Sequence, residues 1–187
     1  MSTVYSIGQM NQVADALETA GYTPDDVTKL RSKLKEIRGF KLVLGGMSEI
    51  VAVKHVIDLD ADPMVPDYLD VEEHIKGGQR VWNPDEVELY LCDEQREGTI
   101  EGNKLRELLK DKHVLNATVL DYLLANPHLI PDEWRGRTVF FWGTIYRDSR
   151  GRLYVRYLYW SGDGWYWDCY WLVDYFDDSD PAALSRK

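Results

Sequence analysis

Cysteine is scarce in this chain. Only Cys92 and Cys169 occur in 187 residues, too far apart for a Cys-x-x-Cys knuckle and too few for a disulfide framework. Both read as reduced thiols in a core or on a strand. Long apolar runs are also missing: no stretch approaches the ~20 residues of a membrane span. Met1 to Tyr22 lacks the basic start and apolar centre of a secretory signal, so a cytoplasmic protein with no membrane role is expected. Positive charge is in deficit, with 22 Lys and Arg against 32 Asp and Glu, a formal net charge of -10. Nucleic-acid affinity relies on neutralising phosphates and suits that balance poorly; solubility, mimicry of DNA or docking on a basic partner suits it better. The imbalance is local. Residues 1–54 carry seven basic and six acidic side chains, which leaves -11 for residues 55–187.

What is present is aromatic. Six of the seven tryptophans lie between Trp134 and Trp171, and the stretch Thr138 to Val173 reads as one aromatic block. Hydrophobic residues at 44% and charged residues at 29% are enough to build and solubilise a real core around it.

Before the block, the chain reads as helices with a few strands. Ile7, Met10, Val13, Leu17 and Ala20 recur at helical spacing and Gly21 follows as a cap, predicting a helix over 7–20. Thr23-Pro24-Asp25-Asp26 then starts a second helix, expected to run to about Gly39 with a basic face from Lys29 to Arg38. The pair reads as a helical hairpin over 1–46; a helix-turn-helix DNA reader is the alternative. Glu49 to Asp60 and Val87 to Cys92 are expected strands, and the Pro63 to Pro66 region a loop. Leu105, Leu108 and Leu109 mark one short helix; Asn116 caps another, which Asn126-Pro127 stops.

The aromatic block is expected to be a three-stranded antiparallel meander over 138–147, 152–160 and 165–173. With Arg147 opposite Arg152 and Trp160 opposite Trp165, one face carries Phe140, Trp142, Thr144, Tyr146, Tyr157 and Tyr159. The other carries Phe141, Gly143, Ile145, Tyr154, Arg156, Trp160, Trp167, Cys169 and Trp171. The expected class is therefore α+β: a small antiparallel aromatic-rich sheet, the meander plus one or two earlier strands, packed with short helices. Residues 47–176 form its core domain and 177–187 a polar tail.

The segments IEGNKLRELL, HVLNATVLDYLLANPHLIPDEW and FFWGTIYRDSRGRLYVRYLYW resemble an uncharacterised family of small bacterial proteins associated with candidate-phylum genomes. The likeness runs from about Ile57 to Trp171. It implies a shared fold and a bacterial, intracellular setting, and brings no catalytic residues with it.

Candidate chemistry is sparse. Asp58, Asp60, Asp62, Glu72, Glu73 and His74, with His55 nearby, are carboxylates and imidazoles that can hold Mg, Mn or Zn, and a metal-dependent hydrolase using Asp58, Asp60, Glu73 and His74 is one reading. The spacing is not an EF-hand, since Pro63 stands where Gly is needed and Leu69 where the bidentate Glu is needed; solvated loop acids are the plainer account. No Gly-x-Ser-x-Gly elbow occurs, and His113 and His128 sit at helix boundaries where structural roles are common. Arg147, Arg150, Arg152 and Arg156, interleaved with tyrosines, could stack and neutralise single-stranded nucleic acid, or could pair with nearby acids. The favoured expectation is a non-enzymatic binding protein without cofactor. Its face would centre on Arg156, Tyr154, Trp167 and Trp171, with Arg152 and Trp160 at the rim, and take a protein or a small anionic ligand held by Arg156.

Overall fold

The computed structural model describes residues 6–30, 32–46 and 53–186. The chain divides into two compact units, Met1–Val53 and Lys54–Lys187. In the first, helix α1 (Ile7–Thr19) opens with a capping box: Gln9 N–H donates to Ser6 Oγ at 3.2 Å, and Ser6 N–H donates to Gln9 Oε1 at 3.0 Å. Gly21, at φ +84°, ends it where the sequence placed the cap. Thr23 and Asp26 form a second reciprocal cap at the start of α2 (Pro24–Leu30). The expected long second helix is instead two. The Ser32 hydroxyl and N–H both donate to Lys29 O, a side-chain bond that competes with helical pairing, and α3 then runs Leu34–Leu44 through Gly39.

The second unit is α+β. Its elements are β1 (Val56–Asp58), β2 (Leu69–His74), β3 (Gln79–Val81), β4 (Val87–Tyr90), α4 (Asp93–Glu97), β5 (Ile100–Glu101), α5 (Gly102–Leu109), α6 (Ala117–Ala125), β6 (Val139–Asp148), β7 (Leu153–Ser161), β8 (Gly164–Trp171), β9 (Tyr175–Phe176) and β10 (Ala182–Ser185). The expected strand over 49–60 is seen as β1, with residues 49–52 outside the described ones. The meander β6-β7-β8 forms one side of a six-stranded sheet in the order β4-β10-β6-β7-β8, with β2 pairing the second half of β6. No described helix is long and apolar enough to cross a membrane.

Two features depart from the sequence reading. The tail is not polar and free: β10 lies between β4 and β6, and Ala182, Ala183 and Leu184 are buried. Four residues among acids are too short to show a strand period, which is why composition hides this strand. The second departure is register. Near its start β6 pairs Phe140 with Tyr157; beyond a bulge it pairs Ile145 with Val155 and Tyr146 with Tyr154. The bulge reverses side-chain parity. Ile145 therefore joins the core of Phe140, Trp142, Val155 and Leu172, while Tyr146 crosses to the face of Tyr154, opposite to expectation.

The bulge exists where α6 docks. A Cβ on Gly143 would lie 2.9 Å from the backbone of Asn116, and the Thr144 hydroxyl accepts the Ala117 N–H at 3.0 Å. One face of the sheet packs on α6 through Val119, Leu120 and Leu123 against Val139, Phe141 and Leu158; the other packs on α5 through Leu105 and Leu109. At the open edge, the Leu172 N–H donates inward to Leu153 O, so the N–H groups of Trp167 and Cys169 point outward, and Asp168 Oδ1 accepts the Cys169 N–H at 2.7 Å. That self-capping blunts an edge that would otherwise recruit another strand.

The close approach at the bulge yields a prediction. Gly143→Ala must push helix α6 off the sheet, and urea denaturation is expected to show a loss of roughly 1–3 kcal/mol, the usual range for overpacking.

Candidate binding site

Arg156 occupies the middle of the meander and is fully buried. Its Nη1 lies 2.8 Å from Asp121 Oδ1 on α6 and donates to Met64 O at 3.2 Å. Asp121 Oδ2 accepts the Met64 N–H at 2.8 Å, and the Tyr146 hydroxyl donates to Met64 O at 3.1 Å. The Pro63–Pro66 loop is thereby stitched across the sheet by both polar groups of one peptide residue. Arg156 Nε and Nη2 have no hydrogen-bond partner, but the guanidinium carbon stands 4.4 Å over the Trp167 ring, which receives part of the charge. Burial pushes the Tyr146 hydroxyl up to about 12, so it remains a donor.

The residues expected to form a binding face do lie on one face of the sheet, but its cations are already engaged. Tyr154 is buried at 5.9 Å from Trp171, and Arg152 stacks on Trp171 at 4.6 Å. Trp167 lies beneath Arg156, and Cys169 is the cross-strand partner of Arg156, as the alternation required. Trp160 packs edge-on against Trp165 at 5.4 Å. Three of the four hairpin arginines find an acid: Arg147 pairs with Glu72, Arg152 with Asp148 at 2.6 Å, and Arg156 with Asp121. Arg156 is therefore a pin between sheet, loop and helix rather than an open anion hook. Loop 63–66 and α6 cover it because a buried guanidinium needs several acceptors that the strands alone do not supply.

The open part of this face lies at the hairpin tip. There a cleft of about 660 Å³ separates the β7–β8 turn from the segment 127–135. Trp160, Trp165 and Tyr166 line one side; His128, Asp132 and Arg135 line the other. Both walls are braced. Trp82 Nε1 donates to Leu129 O at 3.1 Å, and buried Trp134 packs edge-on against Trp82 at 6.2 Å. Arg135 lies 4.0 Å over the Trp160 ring and pairs with Asp132 at 2.9 Å. The Tyr166 hydroxyl donates to Asp163 Oδ1 at 3.2 Å, and that bond raises its pKa. The cleft thus offers ring edges and faces, a fixed cation and two carboxylates around one space.

The other candidate residues are dispersed into structural duties. Asp58 accepts the Asp60 N–H, Asp60 accepts the Gly77 and Gly78 N–H groups at 3.0 Å, and Glu73 pairs with Arg106. His74 Nδ1 hydrogen-bonds Thr144 Oγ1 at 2.8 Å. Among the described residues no three His, Cys, Asp or Glu side chains converge as a metal-holding group. Burial raises the Cys169 thiol to about 11 and raises Cys92 as well, so neither is a thiolate near neutrality. His113 is exposed, whereas His128 reaches the cleft.

Sequence reasoning missed the cleft's second wall. Trp165 shares the face of Trp167 and Trp171 by simple alternation and was within reach, but His128, Asp132 and Arg135 arrive from a separate turn that no spacing rule connects to the hairpin.

Two measurements test this arrangement. Asp121→Ala strands a buried charge and is expected to cost about 3 kcal/mol in chemical denaturation, the lower end for a buried pair because Asp121 is partly solvated; Arg156→Met with Asp121→Leu should recover most of it. Asp148 supplies a pH signature. Burial alone would raise its carboxyl, but the Arg152 and Arg150 N–H groups and the Arg152 guanidinium outweigh it and hold the pKa near about 2. A depressed native pKa contributes stability above the unfolded value of ~4 and loses it as pH falls toward 2. Between pH 6 and pH 2 the urea midpoint of Asp148→Asn should therefore fall less steeply than that of the unsubstituted protein.

Comparison with family models, curated proteins and solved structures returns no match to this chain, so function has to be argued from the geometry of its own surfaces.

Proposed function

We propose that the protein is a non-enzymatic binding module that grips a partner polypeptide at the aromatic cleft between the β7–β8 hairpin tip and segment 127–135. The observation that carries this reading is the convergence of Trp160, Trp165 and Tyr166 with Arg135, Asp132 and His128 around a space of about 660 Å³. Rings supply contact area at low entropic cost, and a few fixed polar groups orient what lies on them. Arg135 is preorganised by its stack on Trp160, so little side-chain freedom is lost on binding.

The arginine pairing supports a polypeptide over a small anion. Arg152 and Arg156, the cations that would meet a carboxylate or phosphate, are each matched by an acid within the fold. A backbone with mixed polar and apolar groups fits the cleft's mixed lining better.

A photo-crosslinking residue at Tyr166 should give discrete protein adducts in the native cell, and one at Val81, which is also exposed, should not. Arg135→Ala combined with Asp132→Asn should lower the adduct yield at least ~tenfold, the scale of losing one binding anchor. Equal yields from both crosslinker positions would falsify the reading.

A further inference from the structure

The opposite face of the same hairpin carries a different chemistry. Cross-strand pairing sets Tyr157 opposite Asp168 and Tyr159 opposite Tyr166. The ring centroids run in a strip, 5.6 Å from Tyr157 to Tyr159 and 6.1 Å from Tyr159 to Tyr166. Val155 and Leu172 are buried in the core cluster shared with α5, and half-buried Tyr157 packs on it through Phe140, with ring centroids 5.0 Å apart; exposure then rises toward the hairpin tip. Tyr159 is half-buried, Tyr166 is 46% exposed and Asp168 is exposed.

Charge is what distinguishes the two faces. The tryptophans hold arginines of their own chain: Arg135 on Trp160, Arg152 on Trp171 and Arg156 on Trp167. Among the described residues no lysine or arginine stands over Tyr157, Tyr159, Tyr166 or Tyr170, and none pairs with Asp163, Asp168 or Asp174. Arg137, just before β6, donates to the backbone carbonyl of Asp178 at 2.8 Å. Burial, and then the negative charge of Asp168, pushes Tyr157 up to about 12; burial and Asp174 raise Tyr170. The strip therefore combines partly exposed rings with unpaired carboxylates, within residues 55–187, which carry a net charge of -11.

We infer that this tyrosine strip is a docking surface for a basic polypeptide segment, bound in extended form with lysine or arginine at alternate positions. Cations favour aromatic faces, and the carboxylates at the strip fix the sign of the partner. The spacing fixes the alternation. Tyr157 and Tyr159 are two residues apart on one strand, roughly 7 Å, which is also the separation of side chains two apart in an extended peptide. The surface shares Tyr166 and Asp163 with the rim of the cleft and otherwise uses different side chains.

The test uses synthetic decapeptides of one composition: alternating Arg and Ser against a block of five Arg followed by five Ser, titrated into the full chain by calorimetry. The alternating peptide should bind at least ~tenfold more tightly. Tyr159→Ser, which leaves net charge unchanged, should remove that advantage, and so should Asp168→Asn, which keeps an acceptor for the Cys169 N–H. Asp85→Asn removes the same charge beside β4, at the opposite edge of the sheet from β8, and should leave binding within about twofold. Thermal melts confirm that each variant is folded, and the two strip variants act as independent checks on one another. Equal binding of the two peptides, or an equal loss from Asp85→Asn and Asp168→Asn, would reduce the attraction to diffuse charge and overturn the inference. Tyr159→Ser leaves Trp160, Trp165 and Arg135 in place, so failure here is separable from failure of the cleft reading.

Discussion

A guanidinium in the middle of a sheet is the constraint around which the second unit is arranged. Arg156 cannot be left bare in an apolar interior, since an unpaired buried charge costs several kcal/mol. Asp121 answers it from α6, Met64 O from the proline loop and Trp167 from the neighbouring strand. Those partners come from three separate stretches of chain. Satisfying one side chain therefore fixes where the helix sits, where the loop crosses and which rings face inward. Hydrophobic packing of α6 on Val139, Phe141 and Leu158 supplies area; Arg156 supplies position.

The helix also shapes the strand beneath it. Asn116 caps α6 by accepting the Thr118 N–H, and its Nδ2 donates to Leu59 O and Ile75 O at 2.9 Å. Its backbone lies so close to Gly143 that no side chain fits there, and β6 bulges at that point. The bulge turns Tyr146 toward Met64 and Arg156, where its hydroxyl is needed. Strand irregularity, helix cap and buried cation thus belong to one packing solution, and the hairpin tip beyond them is left free to carry rings on both faces.

Those two faces show how internal compensation shapes a surface. On the tryptophan face every stacked arginine is matched by an acid, so electrostatic demand is met within the fold and the open tip offers contact area and orientation. On the tyrosine face Asp163, Asp168 and Asp174 have no such match among the described residues. The hairpin thus presents an aromatic cleft with a paired arginine on one side and a tyrosine strip beside unpaired carboxylates on the other.

The α+β class, the meander, the Asn116 cap, the Gly21 cap and the pairing of Trp160 with Trp165 were legible in the sequence, because each rests on local rules: turn residues, capping chemistry and alternation over long strands. Alternation also placed Tyr154, Arg156, Trp167 and Trp171 on one face. What it could not supply was the burial of Arg156, since Asp121 lies 35 positions upstream and nothing local links them. The bulge at Gly143, the insertion of Ala182–Ser185 between two strands and the meeting of Arg135 with Trp160 are of the same kind. Local pattern determined which residues could share a surface; only tertiary packing, where distant segments compete for the same acceptors and the same space, decided which of those surfaces is core and which is open.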